Sequence, residues 1–266
     1  MMVLSPAKIN LMLRILGQRL DGYHLLQTYF QLLNWGDQME FDLIDTDEIK
    51  IYGEFNGISL ENNIIYQAVQ LLKPFRHSTK GLSIHVEKLI PQGSGLGGGS
   101  SNAGTTLTVL NKLWQCNLTD KKLMELAVTL GADVPVFVLN QSAMAEGIGE
   151  KLQPYNIENY SYVLIFPDTN ISTVEVFQQQ SLQRNQQMIE ISKINKKNYW
   201  TNACLPVVLE NYPVVKKIYS ETSQFATIYL SGTGSTLFAC FENVKKALIF
   251  QQKCSKNVRT ILCDAK

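Results

Sequence analysis

The sequence lacks any cysteine pair at metal-binding spacing. Cys116, Cys204, Cys240, Cys254 and Cys263 are odd in number, scattered, and nowhere arranged as Cys-x-x-Cys. That argues against a zinc knuckle and a disulfide framework and fits a reducing compartment. Long apolar runs are also missing. The longest, such as Val134–Leu139 and Tyr162–Pro167, fall far short of the roughly 20 residues a membrane helix needs. Met1–Asn10 has no basic region leading into an apolar stretch, so no secretory leader is expected. Neither sign of charge is in excess: 24 Lys and Arg stand against 23 Asp and Glu, a net charge of +1. A general polynucleotide binder carries a basic excess that this chain lacks, whereas a small phosphorylated ligand needs only a local site. These absences predict a cytoplasmic protein with neither a membrane nor a polynucleotide as partner.

What is present is ordinary globular material. The 266 residues are 45% hydrophobic and 18% charged, enough for two domains with sizeable cores. Ala7–Arg14 alternates, with Ala7, Ile9, Leu11 and Leu13 on one face and Lys8, Asn10, Met12 and Arg14 on the other, as a half-buried strand does. An Asp21-Gly22 turn, then Tyr23-His24 and an apolar stretch through Leu33, follow it. Met39–Ile44, Glu48–Tyr52 and Gly81–Ile90 read as strands, and Asn62 as the cap of a helix running to Leu72. Thr119 caps a helix that Gly131 ends, which places Asp133 just past its C-terminus, the negative end of the helix dipole. Further on, Tyr160–Phe166, Thr227–Leu230, Leu237–Phe241 and Arg259–Leu262 read as strands. Thr173–Leu182, Leu205–Ser220 (interrupted at Pro213) and Asn243–Lys253 read as helices. Residues 178–198, rich in glutamine, read as a long surface loop or irregular helix. This mixture predicts an α+β fold rather than a regular βαβ array.

The sharpest local feature is Pro91-Gln-Gly-Ser-Gly-Leu-Gly-Gly-Gly-Ser-Ser-Asn-Ala103, set between a strand and a helix pattern running through Leu107, Leu110 and Trp114. Glycines let a backbone approach a ligand closely, and successive N–H groups at a helix start make an anion cradle. Ser100 and Ser101 sit where a hydroxyl caps the helix or meets a phosphate or its metal. Gly93, Gly95 and Gly98 satisfy G-x-G-x-x-G, but the acid about 20 positions on, Asp120, starts a helix rather than ending a strand, unlike a dinucleotide fold. A P-loop needs Gly-Lys followed by Ser or Thr, and no Gly-Lys occurs; a protein kinase needs His-Arg-Asp and Asp-Phe-Gly, and neither occurs.

The loop resembles the ATP loop of the GHMP small-molecule kinases. Pro6-Ala-Lys-Ile-Asn-Leu11, Asp21-Gly-Tyr-His24, Leu130-Gly-Ala-Asp-Val-Pro-Val-Phe137 and Ser231-Gly-Thr-Gly234 narrow the resemblance to the 4-diphosphocytidyl-2-C-methyl-D-erythritol kinase family. The motifs occur in that family's order and span most of the chain. The resemblance implies a two-domain GHMP kinase fold, with a ribosomal-protein-S5-like N-terminal domain over 1–150 for nucleotide binding and catalysis. A ferredoxin-like C-terminal domain over 151–266 would close on the substrate. It implies ATP as co-substrate with Mg²⁺, and a cytidine diphosphate alcohol as the other small-molecule substrate, phosphorylated on its 2-hydroxyl in the non-mevalonate route to isoprenoids.

Residue by residue, the resemblance makes Lys8 and Asp133 the catalytic pair, Asp133 as general base. It gives Pro91, Gly93, Ser94, Gly95, Leu96, Gly97, Gly98, Gly99, Ser100 and Ser101 to ATP. Asn10, Tyr23, His24, Phe177, Gly232 and Thr233 go to the substrate, with Tyr23 and Phe177 stacking on cytosine and His24 hydrogen-bonding it. No acidic metal ligand is identifiable, and monomer and homodimer both stay open. One segment departs from the pattern: Asn202-Ala-Cys-Leu-Pro206 stands where the family usually has Asn-Asp-x-Glu-Pro, without its two acids. Another GHMP kinase, acting on mevalonate, homoserine or a sugar, is the nearest alternative, and a catalytically idle nucleotide-binding protein is the more distant one. Asp21–His24 and Phe177 suit a nucleobase better than a small polyol.

Overall fold

A computed structural model describes residues 1–55, 57–254 and 258–266. In chain order the elements are β1 (Met2–Gln18), β2 (His24–Ile44), β3 (Ile49–Gly53), α1 (Ile64–Leu72), β4 (Gly81–Glu87), α2 (Gly98–Leu113), α3 (Asp120–Leu130), α4 (Val134–Leu139), β5 (Ala143–Gly147) and β6 (Lys151–Pro154). There follow β7 (Ser161–Phe166), α5 (Thr173–Gln178), α6 (Leu205–Asn211), α7 (Pro213–Thr222), β8 (Tyr229–Leu230), β9 (Leu237–Phe241), α8 (Val244–Cys254) and β10 (Arg259–Asp264). The fold is the mixed α+β arrangement that the sequence predicts.

Compactness divides the chain into two units of three segments each. The first holds Met1–Ala7, Trp35–Pro91 and Gly97–Gln141; the second holds Lys8–Asn34, Gln92–Leu96 and Ser142–Lys266. This division differs from a single cut after residue 150, because Lys8–Asn34 and Gln92–Leu96 group with the C-terminal half. In the first unit the later part of β2 runs antiparallel to β4, from Gln38 opposite Glu87 to Ile44 opposite Gly81, and β3 lies parallel to β4. Phe41, Leu82 and Ile84 of these strands share a core with Val69 and Leu72 of α1 and Leu107 and Leu110 of α2. Complete burial of side chains of this size contributes about 1.5–3 kcal/mol each.

In the second unit β10, β7, β9 and β8 form a four-stranded antiparallel sheet in that order. β7 is buried along its whole length. Leu13 and Ile15 of β1 join Val163 and Ile165 of β7, Val207 and Val208 of α6 and Phe250 of α8 in one core. The early part of β2 pairs with β5, and β5 with β6. No helix among the described residues is long and apolar enough to cross a membrane. The five cysteines are free thiols, and burial pushes Cys204 and Cys263 up to about 12, which keeps them unreactive.

Several boundaries differ from the sequence reading for local reasons. β2 runs through Asn34–Gln38, which reads as a break, because Gly36 lets two backbones pass: a Cβ there would stand 2.7 Å from the Cα of Pro6. The cap of α1 is Asn63, one residue later than expected, its side chain accepting from Ile65 N at 2.9 Å. α5 ends at Gln178 rather than Leu182. Residues 179–190 run as irregular chain, followed by short 3₁₀ turns at Ile191–Asn195 and Lys197–Tyr199. This stretch is anchored rather than loose: Ile15 N donates to Gln186 Oε1 at 3.0 Å, and Gln186 N donates to Ile15 O at 3.0 Å.

Candidate active site

The alternation of β1 sends Lys8 and Asn10 to the same side, and the second unit buries both, each 3% exposed. Lys8 Nζ donates to Asn10 Oδ1 at 2.6 Å and to the Gly95 carbonyl at 3.0 Å. Asn10 Nδ2 donates to Thr28 Oγ1 at 2.8 Å, and Thr28 Oγ1 donates to the Met12 carbonyl at 2.5 Å. The chain of donors fixes the amide so that its oxygen faces the ammonium. Gly95 has φ +76°, and a Cβ there would collide with the Ser231 carbonyl, so the position takes only glycine. Ser231 Oγ donates to Gly95 O at 2.9 Å and receives Asn10 N at 3.3 Å.

The turn after Ser231 is held from two sides. Asn202 Nδ2 donates to the Leu230 and Gly232 carbonyls at 2.8 Å each, and Cys204 N donates to Asn202 Oδ1 at 2.8 Å. Asn202 therefore supports the turn without the two acids absent from Asn202–Pro206. Thr233 and Thr173 share a hydrogen bond of 2.9 Å between their hydroxyls. Among the described residues the buried hydroxyls of Ser94 and Thr236 have no partner, while Thr236 N donates to Ser94 O at 3.1 Å. An orphaned hydroxyl inside a glycine loop is the kind of group a phosphate oxygen satisfies, so this loop fits a nucleotide.

The rest of the glycine run lies in the first unit. Gly97 caps α2 in the left-handed conformation, φ +72°. A Cβ on Gly98 would stand 2.9 Å from Ile90 Cγ2, which restricts that position. The amides of Gly98, Gly99 and Ser100 have no partner within the helix, as at any helix start, and they are positioned for an anion. Ser101 differs from the expectation of a phosphate contact. Its N–H donates to Gly97 O at 2.8 Å, and its hydroxyl, fully buried, pairs with Ser5 Oγ at 2.8 Å. Leu96 likewise buries its side chain in the core, leaving only its backbone for a ligand.

A buried polar cluster stands behind the start of this helix. Asp37 is wholly buried and paired with Lys88. It accepts from Leu89 N at 2.7 Å, Ile90 N at 2.8 Å and Asn102 Nδ2 at 2.9 Å. Asp133 is half-buried between α3 and α4, at the N-cap position of α4, where its side chain makes no capping hydrogen bond to the helix. The sequence reading placed it at a helix C-terminus. The short α4 that begins at Val134 reverses the electrostatics, because the carboxylate stands at the positive end of α4.

Among the residues that the resemblance assigns to the base, His24 and Phe177 stack in the second unit with ring centroids 4.9 Å apart and an interplanar angle of 22°. Burial, and then the neighbouring Arg184, lower the pKa of His24. Tyr23 stands apart from this pair, 59% exposed on the turn, its N–H bonded to Asp21 Oδ1 at 3.2 Å. The second unit thus brings Lys8, Asn10, Gly95 and Ser231 together and, separately, His24 and Phe177. Thr28, Arg184 and the Asp37 cluster were missed by sequence reasoning. Only Asn102, within the glycine-loop motif, carried a signal.

Residues 63–141 match the family described as GHMP kinases N terminal domain. The 4-diphosphocytidyl-2-C-methyl-D-erythritol kinase of Pseudomonas fluorescens (strain SBW25) is 44% identical over 243 residues, 91% of this chain and 86% of the relative. The enzyme of that name from Psychromonas ingrahamii is 45% identical over 246 residues, covering 92% and 86%. The chain belongs to the 4-diphosphocytidyl-2-C-methyl-D-erythritol kinase family. A crystal structure titled 4-(cytidine 5'-diphospho)-2C-methyl-D-erythritol kinase superposes with TM-score 0.88 at 27% identity, covering all of both chains. Mevalonate kinase of Methanococcus jannaschii, at 15% identity and TM-score 0.73, shares the fold alone. As a GHMP kinase the chain takes small-molecule substrates with ATP as co-substrate. The described residues hold no cluster of three or more His, Cys, Asp or Glu suited to a metal ion.

Proposed function

We propose that this chain transfers the γ-phosphoryl group of ATP to the 2-hydroxyl of 4-diphosphocytidyl-2-C-methyl-D-erythritol, giving the 2-phosphate and ADP. The observation that carries the reading is the extent of the family match, 44% identity over 91% of the chain. The buried Lys8–Asn10–Gly95 arrangement supports it. In the reaction the substrate oxygen forms a bond to the γ-phosphorus as the bond to the β–γ bridging oxygen breaks, and the hydroxyl proton leaves to Asp133. Such transition states are loose, so most of the rate comes from positioning and charge neutralisation. Lys8, oriented by Asn10 Oδ1 and Gly95 O, stabilises charge on the phosphoryl oxygens.

In this reading residues 1–150 bind the nucleotide and carry the catalytic residues, residues 151–266 close on the substrate, and the enzyme works in the cytoplasm. Pro91, the backbone of Gly93–Ser100 and the hydroxyls of Ser94 and Ser100 cradle ATP, and Mg²⁺ would be held largely by the nucleotide's phosphates and water. Asn10, Tyr23, His24, Phe177, Gly232 and Thr233 hold the cytidine substrate. The test is ADP release with Mg-ATP and the cytidine substrate beside mevalonate and homoserine. Turnover with the cytidine substrate alone is expected. Asp133→Asn keeps the fold and loses most turnover; a near-wild-type rate in that variant removes the base assignment. Turnover only with mevalonate or homoserine refutes the nucleobase reading.

A further inference from the structure

Arg184 lies in the glutamine-rich stretch and has no part in the roles given above. Four of its five N–H donors are engaged: Nη2 donates to the carbonyls of Phe177 and Gln179 at 2.8 Å each, Nη1 donates to Leu182 O at 3.0 Å, and Nε donates to His24 Nε2 at 3.1 Å. Arginine has donors and no acceptor, and it keeps its proton in proteins. His24 Nε2 must therefore supply a lone pair, and the neutral imidazole carries its hydrogen on Nδ1. The ring is fixed at one edge by Arg184 and on one face by Phe177, whose carbonyl the same guanidinium holds. Burial and the adjacent positive charge both disfavour the imidazolium.

We propose that Arg184 is a specificity-determining positioning residue: by locking His24 in the Nδ1–H tautomer it makes the ring a hydrogen-bond donor toward the pyrimidine, and so selects cytosine over uracil. The inference rests on the functional reading above, in which His24 meets the base. Cytosine offers an acceptor at N3, whereas uracil has an N–H there. A fixed donor pairs with the first and meets the second donor to donor. With the other tautomer, Nδ1 would carry a lone pair and the preference would reverse.

The first readout is the nitrogen spectrum of histidine-labelled wild-type enzyme, in which only three histidines contribute. His24 is expected as Nδ1–H, and an Nε2–H ring overturns the proposal. The second is kinetics with the cytidine substrate and its uridine counterpart. Arg184→Gln is expected to lower the cytidine-to-uridine ratio of kcat/KM by roughly ten-fold, the scale of one base-edge contact, with the loss in KM for the cytidine substrate. An equal loss on both substrates means that Arg184 only holds its loop and overturns the proposal. His24→Asn, which keeps an amide donor near Nδ1, is expected to retain discrimination that His24→Phe loses; equal discrimination in both overturns it as well, even where Arg184→Gln fails to fold. A wild-type enzyme inert toward the cytidine substrate refutes the functional reading, and the base-selection role with it. Turnover without discrimination between the two bases refutes this inference alone.

Discussion

Asp37→Asn isolates the charge in the buried cluster behind α2. The substitution keeps the size of the side chain, and one oxygen still receives Leu89 N and Ile90 N. The other oxygen becomes an amide that meets Lys88 Nζ and Asn102 Nδ2 donor to donor. Breaking a buried ion pair by removing one partner costs about 3–5 kcal/mol. The Lys88 side chain is 19% exposed and regains some water, which places the loss near the lower end, about 3 kcal/mol. For a chain of this size that lowers the melting temperature by roughly 6–12 °C. Thermal melts at fixed pH and protein concentration measure it. Adding Lys88→Met removes the stranded cation, so the double variant is expected to recover part of the loss. A single variant melting within about 1 °C of wild type, or strictly additive effects in the pair, refutes the reasoning. Because Leu89 and Ile90 lead into the glycine loop and Asn102 follows it, KM for ATP is also expected to rise in Asp37→Asn.

Gly104→Ala places a Cβ 2.7 Å from that of Phe137 and 3.2 Å from the Val134 carbonyl. Overpacking of this kind costs about 1–3 kcal/mol and outweighs the helix-propensity gain of about 1 kcal/mol, so urea denaturation should show a less stable variant; a more stable one contradicts the packing. Asn202→Ala strips both carbonyl contacts from the turn, with an expected loss of about 1–3 kcal/mol and a fall in kcat/KM that a merely remote residue would not produce. For His24, whose folded pKa lies below 6.5, the unfolded chain takes up a proton first as pH falls. Its contribution to stability is therefore complete above about pH 6.5 and declines below it. KM for the cytidine substrate follows the same course, flat from pH 8 to 6.5 and rising in more acid solution; a rise already complete at pH 7 contradicts the neutral ring.

Local chemistry made much of this architecture readable. Period-two alternation located β1, Thr119 capped its helix by accepting from Lys122 N at 3.3 Å, and Pro213 divided α6 from α7. Failures came where the determinant lies far along the chain. The sequence reads one stretch ending at Leu33 and another strand starting at Met39, and their continuity through Gly36 is visible only once the Pro6 backbone is seen against it. Asp133 reads as a helix end until α4 follows at once. Arg184 reads as one polar residue among many, because its partner His24 is 160 positions away. The site divides in the same manner. Dense motifs announce the glycine loop and Lys8, whereas the groups that orient them, Thr28, Asn202 and Asp37, act through tertiary contacts that no spacing rule encodes.

The second unit joins early and late parts of the chain: Asp264 N bonds to Asn34 Oδ1 across 230 residues, and Ala265 bridges to Leu33. At translation rates of about 5–20 residues per second, that interval corresponds to on the order of 10–50 s on the ribosome. Throughout it the strand segment Lys8–Asn34, which carries the buried Lys8, lacks the partners that complete its unit. Its apolar face is a ready target for a holding chaperone, and slower decoding of the 3′ half of the message lengthens that exposure.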